Sequence, residues 1–318
     1  MMKRMTRVLS GLLRVALSAA ATVAVLAAVS YVLTPKNNQA AFGQRDERVH
    51  GIAGEPAGSI DVLLMGDSEI FTSVSPLQLW DERGITSYSL GTNGQKLIYT
   101  RSLLALALRK QSPRVVVLET NCLFRPFTVG EAILRVGKDV LPAVEYHDRW
   151  KSLTVEDFIA PVRATWTDEG KGFVAKRGTR AADASGYMAP SDEVAEMPLL
   201  NRLYLEEIER MCERAGARLV LLSTPSTKNW NMARHNGVER VASELGLDYI
   251  DLNVGEDRVG VDWAKDSYDA GDHLNASGAR KVSTAVGALL AERYGTPDHR
   301  GDGSYSSWAE ASSRARDK

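Results

Sequence analysis

The chain has 318 residues, 44% of them apolar and 25% charged, with Lys+Arg 39 against Asp+Glu 40. That composition excludes a disordered chain, a collagen-like repeat and a disulfide-dense miniprotein. A net charge of −1 also argues against a general nucleic-acid binder, which needs a basic surface to neutralise phosphates.

The near-zero charge is a cancellation. Residues 1–36 contain Lys3, Arg4, Arg7, Arg14 and Lys36 and no acid, so the remaining 34 bases face 40 acids and residues 37–318 carry −6. Between Arg14 and Lys36 runs an uncharged stretch, Val15 to Pro35, of 21 residues rich in Ala, Val and Leu. At about 1.5 Å per helical residue it reaches about 30 Å, the thickness of a bilayer's hydrocarbon core. The bases before it keep the N-terminus in the cytoplasm by the positive-inside rule. Residues 15–35 therefore read as a transmembrane signal anchor after a basic stub, 1–14. The main alternative is a cleaved signal peptide, whose apolar core is usually about 7–15 residues. This run is longer, and Asn38-Gln39-Ala40 is a poor cleavage site. A buried Ala-rich helix has no need of four preceding bases. On the first two readings the rest of the chain works outside the cytoplasm.

Residues 36–58 are polar and punctuated by Gly and Pro, and read as a linker. Ile60 to Met65 is a buried-strand run ended by Gly66-Asp67-Ser68. Ser75-Pro76 starts a short helix, with Pro in its first turn, that ends at Gly84. Thr86 to Leu90 is a second strand, and Lys96 to Lys110 a helix. Arg114 to Leu118 is a third strand, Arg218 to Leu222 a fourth and Tyr249 to Leu252 a fifth. Helices of about 15 residues precede the last two, and another, from Ala276 to Tyr294, closes the domain. This alternation predicts βαβ units and a parallel sheet covered on both faces, in one α/β domain over 59–296. The stretch 124–196 is too long for a plain crossover and reads as an insertion forming a lid or substrate wall. Residues 297–318 have almost no apolar content and read as a disordered tail.

In an open parallel sheet, ligands collect outside the carboxyl ends of the strands. There the first strand presents Gly66-Asp67-Ser68 and the second Gly91-Thr92-Asn93-Gly94. The third presents Glu119-Thr120-Asn121, and the loop beyond the fifth carries Asp269-Ala-Gly-Asp272-His273. These are the parts of an acyl-transfer site. A serine hydroxyl is a poor nucleophile until a histidine accepts its proton, and that histidine needs a carboxylate to hold its tautomer. The oxyanion needs donors in place beforehand, and the Ser68 and Gly94 N–H groups and the Asn121 amide are the candidates. Each piece has a blander reading: a helix cap for Ser68 or Asn121, a plain turn for Gly94, a packed histidine for His273. Their order along the chain and common strand-end placement favour the catalytic one.

These four blocks resemble the SGNH (GDSL-type) hydrolase superfamily over about residues 58–295. Gly66-Asp67-Ser68 matches its nucleophile block, Gly94 its second-block glycine, Asn121 its third-block asparagine and His273 its histidine. The resemblance implies a flavodoxin-like three-layer fold with about five parallel strands. Ser-Tyr-Ser-Leu-Gly-Thr-Asn-Gly-Gln (87–95), His147-Asp148-Arg149-Trp150 and Asp272-His273-Leu274-Asn275 are similar to a membrane-anchored bacterial branch. That branch is akin to proteins handling D-alanyl or acetyl esters on cell-envelope polymers. The resemblance thus implies a serine esterase or O-acyltransferase without naming a substrate; the anchor points to a cell-envelope substrate such as a polysaccharide, with a membrane acyltransferase as a candidate partner.

Two departures stand out. Block three reads Glu119-Thr120-Asn121-Cys122 where the family has Gly-x-Asn-Asp. The family's acid, three residues before the histidine, is replaced by Ala270. Asp269 and Asp272 are then the candidate acids, and Asp269 is preferred, because side chains of neighbours such as Asp272 and His273 diverge in an extended segment. A non-catalytic envelope-assembly or carbohydrate-binding protein on the same fold is the second reading, kept open by this unsettled acid. A secreted lipase would need a cleaved signal and a more apolar wall.

In the insertion, Arg149 and Trp150 are candidates to bind an anionic group and a sugar ring; the alternative is an ordinary packing and ion-pair cluster. Asn275 reads as a helix N-cap. Cys122 and Cys212 either pair outside the cell or are simply buried. No Cys/His spacing suggests zinc and no Gly-rich loop a nucleotide, so no cofactor is expected.

Overall fold

In a computed structural model of the chain, residues 2–316 are described, with the backbone alone for 2–8 and Ser10. Five parallel strands form one sheet: β1 (Val62–Gly66), β2 (Ser87–Gly91), β3 (Val115–Glu119), β4 (Arg218–Ser223) and β5 (Asp248–Asp251), in the order β2-β1-β3-β4-β5. This is the expected α/β sheet, with each strand within two residues of its predicted start. Apolar residues alternate between its faces. Leu63, Met65, Val116, Leu118, Leu219 and Leu221 join one core, against α5 (Leu97–Ala107), α9 (Leu199–Arg214) and α10 (Met232–Leu245). Val62, Leu64, Val115, Val117, Val220 and Leu222 join the other, against α3 (Ser68–Ser73), α4 (Pro76–Arg83) and α11 (Ala276–Tyr294). Burial on both faces is why the strands read as continuous apolar runs.

The strand order places the functional ends. β1 connects to β2 on one side, and the chain then crosses back over β1 to β3. The crevice between the carboxyl ends of β1 and β3 is the topological switch point, where such sheets bind ligands. Ser68 follows β1 and Asn121 follows β3, so both stand at it.

Helix α1 (Met2–Leu33) contains an apolar span, Gly11–Leu33, whose most apolar window is not buried against the domain. By length and composition it suits a membrane span or a signal sequence.

Three readings of chain organisation change. Residues 36–58 are not a loose linker: they contain α2 (Glu47–His50) and two short 3-10 turns, with Val49 and Ile52 buried. Tyr88 on β2 donates from its hydroxyl to the Arg48 carbonyl at 2.8 Å, so the segment covers the sheet's edge. Nor are residues 297–316 a free tail; the last two residues of that predicted tail lie outside the described ones. The described part forms α12 (Ser306–Arg316), whose Trp308 is 1% exposed and lies 5.7 Å, ring to ring, from Trp80 on α4. One large aromatic side chain outweighs the polar average of this segment.

The insertion is two different things. Its first half holds α6 (Val129–Val140), α7 (Pro142–Glu145), a 3-10 turn at His147–Ser152 and α8 (Val155–Ile159), set against α5 and the end of α1. Its second half is extended. There Val174 N–H donates to the Phe71 carbonyl at 2.8 Å, and the Arg180 carbonyl accepts from Ala270 N–H at 3.2 Å. This half thus runs past α3 and along the loop that carries His273.

Candidate active site

The β1 strand ends at Gly66, with φ +147, where a side-chain carbon would come within 2.6 Å of Glu119 Cβ on β3. Only a glycine lets the chain turn this close to the neighbouring strand. Asp67 is then the N-cap of α3, its Oδ1 accepting from Glu69 N–H at 3.0 Å. Because Asp67 caps the helix, the Ser68 hydroxyl is spared that task. Ser68 Oγ lies 2.8 Å from His273 Nε2.

His273 Nδ1 lies 2.7 Å from Asp269 Oδ2, and Asp269 Oδ1 accepts from the His273 backbone N–H at 2.7 Å. Asp272 Oδ2 is 4.0 Å from the same Nδ1, too far for a hydrogen bond. Its Oδ1 instead accepts from Asn229 Nδ2 at 2.5 Å. The loop's bend makes the choice. Ala270 has φ +62 and Gly271 φ +98, two successive left-handed residues that curl Asp269 back over His273. At Gly271 a side chain would strike Thr227 Oγ1. Burial works to raise the Asp269 carboxyl, but its hydrogen bonds from His273 outweigh that and hold it below the usual carboxylate range.

Asn121 Nδ2 donates to Asp67 Oδ2 at 2.9 Å, and Asn121 Oδ1 accepts from Arg234 Nη1 at 2.7 Å. The amide is therefore oriented, with its nitrogen toward the residue preceding Ser68 and one N–H still unassigned. The loop bearing Gly94 is held by Gln95 Oε1, which accepts from both Thr92 N–H and Thr92 Oγ1 at 2.9 Å. Neither the Ser68 nor the Gly94 N–H meets a protein acceptor among the described residues.

Sequence reasoning missed the charges beneath this rim. Asp67 is fully buried and its Oδ2 also accepts from Arg125 Nε at 2.6 Å. Burial lowers the Arg125 guanidinium, but Asp67 outweighs it and raises the group overall. Two more carboxyls, Glu69 and Glu119, are about 1% exposed, and burial followed by repulsion from Asp67 drives both well above the usual range. Among the described residues each has one oxygen, Oε2, without a hydrogen-bond partner, as suits a neutral acid. A buried Asp67 demanded a cation somewhere. Nothing local in the sequence singled out Arg125.

Arg149 and Trp150 do not join this site. Arg149 Nη1 donates to the Leu33 carbonyl at 2.7 Å, and Nη2 pairs with Asp157 Oδ1 at 2.7 Å. Its guanidinium satisfies a carbonyl left open where α1 ends, while Trp150 is 65% exposed. Cys122 and Cys212 are both free and buried, so no disulfide joins them. Asn275 caps α11, accepting from Ser277 and Gly278 N–H.

Among the described residues, the one cluster with metal-ligating potential is Asp269, Asp272 and His273, whose ligand atoms lie within 4.8 Å of one another. Both His273 nitrogens already face Asp269 and Ser68. A cation there would have to break that line.

Neither a protein-family model nor a curated protein matches the chain. Among solved structures it is similar to a Bacteroides fragilis protein provisionally described as an acylhydrolase, at 8% identity and TM-score 0.39, covering 78% of this chain and 96% of that one. A Streptococcus pneumoniae protein provisionally described as a platelet activating factor shows 13% identity and TM-score 0.40, covering 77% and 89%. A GDSL-like lipase from Bacteroides thetaiotaomicron shows 10% identity and TM-score 0.34, covering 74% and 87%. Such likeness concerns fold, and the chemistry rests on the distances above.

Proposed function

We propose that the protein is a membrane-tethered, extracytoplasmic serine esterase or O-acyltransferase acting on acyl or acetyl esters of cell-envelope glycans or polymers. One observation carries this reading: the hydrogen-bonded line from Asp269 through both nitrogens of His273 to Ser68 Oγ, with steps of 2.7 and 2.8 Å. Those are working distances for a nucleophile, its base and the group that orients the base.

In this reaction His273 Nε2 takes the Ser68 proton as Oγ attacks the ester carbonyl. Asp269 holds the Nδ1–H tautomer and stabilises the imidazolium without taking its proton. The Ser68 and Gly94 N–H groups and the Asn121 amide receive the oxyanion. His273 then returns the proton to the leaving alcohol as the C–O bond breaks. Water, or a sugar or polyol hydroxyl, next gives its proton to His273 as it attacks the acyl-serine, and His273 passes that proton to Ser68 Oγ as the acyl–Oγ bond breaks, restoring the free hydroxyl. Water yields hydrolysis and an alcohol yields transfer, so whichever acceptor occupies the site decides the product. For transfer, a membrane acyltransferase partner would supply the acyl group.

The tether rests on the length and apolarity of Gly11–Leu33 and the bases before it. An envelope substrate follows from confinement to the membrane surface.

A fluorophosphonate probe tests the chemistry. The full chain in detergent should be labelled, and Ser68→Ala should abolish labelling while melting at the wild-type temperature. A folded wild-type protein that takes no label would favour a non-catalytic, carbohydrate-binding role on this fold.

A further inference from the structure

Helix α6 is amphipathic in the wrong direction for a soluble protein. Its polar side faces the domain: Glu131 pairs with Lys96 at 2.6 Å, the Arg135 guanidinium lies 5.2 Å from the Tyr99 ring centre, and Asp139 accepts from Ser102 Oγ at 2.6 Å. Its apolar stripe, Val129, Ile133, Val136 and Val140, recurs every three or four residues and faces outward, with Ile133 68% and Val140 69% exposed. A surface helix normally shows the reverse. Helix α8 repeats the pattern, with Phe158 58% and Ile159 72% exposed, and between the two stands the exposed Trp150.

The position of these elements says what covers them. Helix α8 and the turn bearing Trp150 pack on the end of α1, and α6 reaches it through α7. Tyr31 donates from its hydroxyl to the Ala160 carbonyl at 2.8 Å, just beyond α8, and Ala143 N–H on α7 donates to Ser30 Oγ at 3.3 Å. Arg149, one residue from Trp150, holds the Leu33 carbonyl. If α1 spans the bilayer, Ser30 to Leu33 mark where it leaves the hydrocarbon. Side chains gathered around that exit then lie at the lipid surface. Exposed Trp150, with Lys151 Nζ 5.7 Å from its ring centre, suits that boundary, where aromatic rings and basic heads sit at headgroup level.

We propose that α6, α8 and Trp150 form a lipid-docking collar that seats the domain on the bilayer surface around α1. The proposal rests on the reading of α1 as a membrane span. The first half of the insertion then serves docking, and its second half borders the catalytic loop.

The test uses full-length protein reconstituted in phosphatidylcholine–phosphatidylglycerol vesicles. An environment-sensitive dye is attached at Ile133→Cys or, separately, Phe158→Cys, with Val23→Cys in α1 and Glu239→Cys on α10 as references. Both native cysteines are buried and compete poorly for the dye. Dyes at 133 and 158 should be quenched several-fold more than at 239 by lipids carrying a nitroxide near the headgroup, and shielded from a water-soluble quencher. Quenching at 133 and 158 no greater than at 239, with the dye at 23 quenched by lipid, would overturn the collar and leave the span intact. A dye at 23 that escapes lipid quenching would overturn both. Oxidative cross-linking of Ile133→Cys between copies would assign the stripe to a second chain and overturn the bilayer as its occupant.

Discussion

Asp269 grips His273 twice: one carboxylate oxygen accepts the backbone N–H and the other meets Nδ1, both at 2.7 Å. The two residues are four apart, and the left-handed pair Ala270-Gly271 closes the turn between them. The carboxylate that meets the histidine is thus built into the histidine's own loop, four residues before it.

The two acids should therefore separate cleanly on mutation. Asp269→Asn should lower kcat for a small ester by roughly 10³–10⁴-fold, the scale seen when a triad acid becomes an amide and imposes the wrong tautomer. Asp272→Asn should stay within a few-fold of wild type. Steady-state hydrolysis of an activated ester reads both; equal rates would sink Asp269 as the orienting acid.

Asn121→Ala should lower kcat by about 10²–10³-fold with KM nearly unchanged, because an oxyanion donor acts in the transition state more than in the ground state. A rise in KM alone would instead make Asn121 a substrate-binding group.

The neutral buried carboxyls should appear in the pH dependence of stability. Glu119 has its folded pKa raised by burial, so the native state keeps a proton that the unfolded chain sheds above about pH 4.3. Its stabilising contribution is complete below that pH and falls as pH rises toward the folded pKa, by at most about 1.4 kcal/mol per pH unit. Glu119→Gln should remove that slope. Urea titrations of both proteins from pH 5 to 8 should show their stabilities converging toward low pH. Parallel curves would mean that Glu119 is ionised in the native protein.

The C-terminal helix should matter to stability despite its polar composition. Trp308→Ala should destabilise by about 3–5 kcal/mol, as for other buried aromatic truncations, while exposed Glu310→Ala should change little. A Trp308→Ala protein that melts like wild type would show that α12 does not dock.

Much of this was legible locally. Strand runs buried on both faces are apolar throughout, Pro and Gly bracket α4, and helix α11 runs over the residues its pattern predicts. Strand ends carry the candidate reactive residues, where the sheet's geometry collects ligands. Contacts that join distant segments were not legible. The polar stretch 36–58 earned its place through Val49 and Ile52, and α12 through Trp308 on Trp80, in each case a few large apolar contacts that segment averages dilute. Arg149 drew notice beside Trp150, yet its partners, Leu33 and Asp157, lie 116 and 8 residues away.

The sequence alone determined the sheet, the order of the candidate site residues along it and the apolar N-terminal run, because periodicity, turn residues and charge act over a few neighbouring positions. Tertiary structure alone decided that Asp269 rather than Asp272 reaches His273, that Arg125 neutralises Asp67, and that the apolar stripe of α6 faces outward. An amphipathic pattern states that two faces differ, and only packing decides which one turns toward the protein.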